Sequence, residues 1–173
     1  MSSLKLINTQ TVSGVALVNF ISGIDSTYDV YNVKFFNVTP VTDNVDLQVN
    51  WTNNGGTDWD TDKVTATFKN VQGLVLQYQS DIDSDQPSYQ GIVQQQGNNG
   101  SECCAGEGFL FNPSSTALVK HIMFNTTWEG GYVQNMYVNG FLTSASAVDG
   151  MSFKFSSGNI ATGTFSLYGL VKS

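Results

Sequence analysis

Apolar and polar positions alternate in short runs along this chain, and the clearest pair of runs lies between Asp29 and Trp51. In the second run Val45, Leu47, Val49 and Trp51 fall on one side, with Asp46, Gln48 and Asn50 on the other. Successive side chains of a strand point to opposite faces, so this is a strand with one buried and one wet face. The first run puts Tyr31, Val33 and Phe35 on one side and Asn32 and Lys34 opposite, while Phe36 and Val38 blur its far end. Pro40 and the Asp43-Asn44 pair between the runs are turn chemistry. The pair predicts two antiparallel strands joined by a loop, each with one face in the core.

The same pattern recurs along the chain. Leu4–Asn8, Val15–Phe20, Val64–Phe68, Leu74–Tyr78, Phe109–Phe111 and Ala117–Phe124 are strand candidates. So are Tyr132–Val138 and Phe141–Ala145, hinged at Asn139-Gly140, and the closing pair Met151–Phe155 and Thr164–Leu170. Residues 80–108 show little apolar periodicity and much Asp, Gln, Asn and Gly. They predict a long surface excursion with a short element near Ile92-Val93. About ten short strands with turns between them predict an all-β fold, a jelly-roll-like antiparallel β-sandwich, with residues 1–173 as one domain.

Composition agrees. Arginine is absent, glutamate occurs three times and glycine 17 times, so strong helix formers are scarce. A net charge of −7 with seven cations argues against nucleic acid as a partner, because phosphate binding needs clustered positive charge. No apolar run approaches the roughly 20 residues that span a bilayer, so no membrane insertion is expected. The opening Met-Ser-Ser-Leu-Lys-Leu lacks the apolar core of a secretion signal, which predicts synthesis in a cytoplasm.

Candidate chemistry is sparse. Cys103 and Cys104 are adjacent and read as loop thiols, since neighbours rarely reach disulfide geometry. Asp58, Asp60 and Asp62, and again Asp81, Asp83 and Asp85, are spaced as Asp-x-Asp-x-Asp. An EF-hand loop wants glycine at its sixth position and glutamate at its twelfth; Lys63 and Lys69 stand there in the first, Gln86 and Ile92 in the second. A looser calcium site is the alternative to a solvated acidic loop; no other cofactor is indicated. His121, the single histidine, lies in the apolar run Ala117–Phe124 and reads as a strand residue held by a local hydrogen bond. No nucleophile elbow or phosphate-cradling loop occurs, so no enzyme is expected. Trp51 is patterned as core. Trp59, Trp128 and Tyr132 lie in polar, glycine-rich surroundings, where aromatics stack on sugars, fill subunit interfaces or form peripheral core.

Several segments carry a resemblance: Gly23-Ile-Asp-Ser-Thr-Tyr-Asp-Val-Tyr31, Asn37-Val-Thr-Pro-Val-Thr-Asp-Asn44, Leu110-Phe-Asn-Pro-Ser-Ser115 with Val119-Lys-His121, and Met151-Ser-Phe-Lys-Phe-Ser-Ser-Gly-Asn-Ile160 with Gly163-Thr-Phe-Ser-Leu-Tyr-Gly169. In this order the chain resembles small virion proteins of tailed phages, many from phages of marine and freshwater bacteria, cyanobacterial phages among them. Residues 55–104 match least. The resemblance implies a virion component, made in the host cytoplasm, and does not imply a catalytic activity. A capsid decoration or cement protein is the first expectation, a tail-fibre or spike component binding a host receptor the second, and a glycan-degrading appendage the third. The implied partners are itself, as a homotrimer, other virion proteins and a host surface glycan. Trp59 or Trp128 would be buried between subunits or against the particle.

Overall fold

The structure, a computed structural model, describes residues 3–72, 79–86 and 88–171, with the backbone alone for 79–86. Among them are twelve strands and no helix. In chain order these are β1 (Leu4–Val15), β2 (Val18–Phe20), β3 (Val30–Pro40), β4 (Val45–Thr52), β5 (Lys63–Val71) and β6 (Gln79–Gln86). There follow β7 (Gln90–Gln96), β8 (Cys104–Phe111), β9 (Lys120–Glu129), β10 (Val133–Leu142), β11 (Gly150–Phe155) and β12 (Ile160–Leu170). All pairings are antiparallel.

The larger sheet has the order β1-β12-β3-β8-β9-β10-β5-β6 and the smaller β2-β11-β4-β7. Eight strands nest from the outside inward: β1, β12, β3 and β8 in one sheet face β2, β11, β4 and β7 in the other. This winding of two Greek keys is a jelly roll. Two hairpins are added to it, β5–β6 between β4 and β7, and β9–β10 between β8 and β11. Both extend the larger sheet beyond β8.

The core lies between the sheets. Phe153 of the smaller sheet meets Phe165 and Phe35 of the larger, with ring centroids 5.3 and 6.1 Å away, and Trp51 stands edge-on to Phe124 at 6.1 Å. The side assignments of Val45, Leu47, Val49, Trp51, Tyr31, Val33 and Phe35 hold, all being buried. The blur at the end of β3 is a bulge. Asn37 takes a φ of 54°, and the register against β8 jumps between Phe35 and Val38, which leaves Phe36 outside and returns Val38 to the core.

Four expectations are corrected. β3 and β4 do not pair: β3 lies between β12 and β8, and β4 between β11 and β7. The segment joining them crosses from one sheet to the other, which a turn signal does not distinguish from a hairpin. Residues 80–108 hold β6, β7 and most of β8. Their apolar signal is weak because β7 buries Gln90 and Gln96, while Gly106 and Gly108 leave room for the rings of Phe35 and Phe124. Asn139-Gly140 is no hinge, since β10 runs straight through it. A Cβ at Gly140 would press on the Val64 carbonyl and the Thr65 backbone of β5, so close strand approach explains that glycine. Cys104 is a core residue at the start of β8, and burial pushes its thiol pKa far up. Cys103 beside it is partly buried, and both thiols are free. The candidate strand Leu74–Tyr78 lies outside the described residues.

Candidate functional site: the outer face of the larger sheet

The face of the larger sheet turned away from the core follows from register. Phe68, Tyr137, Asn125, Glu107 and Lys34 stand in one row across β5, β10, β9, β8 and β3. One row to one side are Ala66, Asn139, Met123 and Phe109. Beyond that, Val64, Phe141 and His121 align, and Phe111 joins Phe141 and His121 around an open basin of about 700 Å³. On the other side of the first row are Asn70, Asn135, Thr127 and Ala105, with Phe36 at the bulge. Rows on one face are about 6.6 Å apart, two residues along each strand.

The face is therefore graded. One end is apolar, with Phe109 and Phe111 stacked at 6.1 Å and the His121 ring tilted against Phe141 at 6.1 Å. The other end carries amides, hydroxyls and the single described ion pair, Lys34 Nζ to Glu107 at 3.4 Å. Phe68 and Tyr137 lie between, tilted at 6.1 Å. Phe36, Met123, Tyr137 and Phe68 are 49%, 48%, 40% and 39% exposed, so these large side chains are partly open to solvent. His121 points outward, and its ring contact is Phe141 rather than the local hydrogen bond expected of it.

On the inner side of β5 the chemistry is polar. β5 buries Lys63, Thr65, Thr67 and Lys69. Lys63 Nζ donates to the carbonyls of Thr61 and Ser88 at 3.1 and 2.6 Å, and Thr65 Oγ1 donates to Gln90 Oε1 at 2.6 Å. On β9, buried Lys120 donates to the Ser144 carbonyl at 2.7 Å. Burial lowers the pKa of both Lys69 and Lys120, because a low-dielectric site disfavours the ammonium form.

Of the residues singled out in the sequence, Trp128 and Tyr132 meet each other. Trp128 is buried in its own chain's core, 5% exposed, which removes it as an exposed contact. Tyr132 stands edge-on to it at 5.6 Å and stays partly accessible, at the β9–β10 turn. Trp59 is half-buried beside the smaller sheet, its indole near Gly56 and Gly150. Asp58 is engaged within its own loop. Its carboxylate accepts from Asn54 Nδ2 at 3.1 Å, and its amide donates to Asn54 Oδ1 at 3.1 Å. Asp60 and Asp62 are exposed. Among the described residues no three His, Cys, Asp or Glu side chains gather as a metal site. The side chains of Asp81, Asp83 and Asp85 lie outside the described residues, and no described helix is long and apolar enough to cross a membrane.

The outer face was missed in the sequence, although β9 held a signal for it. In Ile122-Met123-Phe124 both faces of the strand are apolar, which an ordinary half-wet strand does not need. No family model matches the chain, and no curated protein matches it.

Proposed function

We propose that this chain is a non-enzymatic structural protein of a tailed-phage particle, a capsid decoration or cement protein. It attaches through the apolar end of the outer face of its larger sheet. The observation that carries this is the partly exposed group Phe109, Phe111, His121, Met123 and Phe141 on neighbouring strands of one sheet. Contiguous apolar surface of this kind marks a contact with another macromolecule. The resemblance to virion proteins makes that partner the protein shell. The long edge strand β1, most of whose residues are exposed, favours closed association, and we propose a homotrimer on the particle.

The polar end of the face favours the second reading, a tail-fibre or spike component that touches a host glycan. A glycan-degrading appendage has less support. Hydrolysis needs two carboxylates across the sugar, and the described polar end carries Glu107 alone, paired with Lys34.

A particle reconstruction tests the proposal. The expected result is density for the chain on the capsid, with Phe111, Met123 and Phe141 against the shell. Replacing these three by Ser should abolish re-addition of the purified protein to particles lacking it, with folding intact. Density at the tail tip would favour the fibre reading, and absence from particles would refute both.

A further inference from the structure

We propose that the polar end of the outer face is a binding site for a neutral glycan. It goes beyond particle attachment, using different rows of the sheet.

The site is an open trough of about 550 Å³, lined by Lys34, Phe36, Glu107, Asn125, Asn135 and Tyr137. That is within the roughly 300–1,000 Å³ usual for small-ligand sites. Its shape follows from side-chain length. Ala105 and Thr127 keep the floor low on β8 and β9, while Phe36 on β3 and Tyr137 on β10 rise on either side. From β3 to β10 is three strand spacings, about 14 Å, enough for a few sugar rings in line.

The chemistry also fits. A pyranose offers hydroxyls around its rim and C–H groups on its faces. Each amide of Asn125 and Asn135 presents a donor and an acceptor side by side, matching neighbouring hydroxyls. Among the described residues, neither these amides nor the Tyr137 hydroxyl is hydrogen-bonded to protein. The half-exposed rings of Phe36 and Tyr137 supply apolar surface for the sugar faces. Charge selects the class of glycan. Lys34 is already paired with Glu107, and the whole chain carries −7, so a polyanionic sugar meets no free cation in the trough and a repulsive field around it.

The test is an array of neutral and uronate-containing microbial glycans, followed by calorimetry on the best neutral hit. At least one neutral glycan should bind with Kd below about 1 mM. Tyr137→Ala and Asn125→Ala should each weaken binding about tenfold or more. Phe141→Ala, at the apolar end, should leave it unchanged, and all three variants should melt with the parent. Binding to no neutral glycan, binding that survives both trough substitutions, or preference for uronates would overturn the proposal. Tyr137→Ala and Asn125→Ala should still attach to particles, so the glycan site and particle attachment fail separately.

Discussion

β4 and β5 follow one another in the chain and both alternate, yet they bury opposite chemistry. β4 buries Val45, Leu47, Val49 and Trp51 in the jelly-roll core. β5 buries Lys63, Thr65, Thr67 and Lys69 and turns Ala66 and Phe68 outward. The difference lies in what each strand faces. β4 looks across at the aromatic and aliphatic rows of the larger sheet. β5 lies in the extension, where its inner side meets the glutamine-rich β7 and the Ser88 carbonyl. Lys63, Thr65 and Lys69 are tolerated there because each finds a partner, which removes most of the cost of burying them. The aromatic Phe68 is left on the outer face instead.

Four predictions bear on this contrast, the largest effect first. Trp51→Ala should lower stability by about 3–5 kcal/mol, since it empties the centre of the apolar core. Urea unfolding followed by far-ultraviolet circular dichroism measures it, and a loss below 1 kcal/mol would mean that the core is not organised around β4.

Isosteric swaps between the strands come next. Thr65→Val should cost about 1–3 kcal/mol by leaving Gln90 Oε1 buried without its donor. Val49→Thr should cost a similar amount, about 1–3 kcal/mol, by burying a hydroxyl in an apolar setting. If Thr65→Val stabilised the protein, the polar layer would be incidental.

The third concerns pH. Burial lowers the folded-state pKa of Lys120 and Lys69 below the value of about 10.4 for an unfolded lysine. Between the folded and unfolded values the unfolded chain holds more protons, so stability should rise with pH across that window. Lys120→Met should flatten part of the rise, read from urea midpoints at successive alkaline pH values. A midpoint that falls equally in parent and variant would contradict it.

The smallest effect belongs to the outer face. Phe68→Ser should change stability by no more than about 0.5 kcal/mol, because its ring is not core. A loss as large as that of Trp51→Ala would show that the outer aromatics support the fold and are not held ready for a partner.

The sequence by itself determined the fold class, because period-two alternation and turn residues are local properties. It also determined the inward sets of β3 and β4, where an apolar face meets an apolar core. Only the tertiary structure decided which strands pair. A turn between two strands looks the same whether it closes a hairpin or crosses between sheets, as residues 41–44 do between β3 and β4. The burial of Lys63 and Lys120 was equally hidden, since the Thr61, Ser88 and Ser144 oxygens they bond are backbone carbonyls, which every residue carries. The same limit applies to the candidate site. Phe109, Met123, Phe141 and Tyr137 are each ordinary strand residues, and they become one surface because antiparallel register aligns residues distant in the chain.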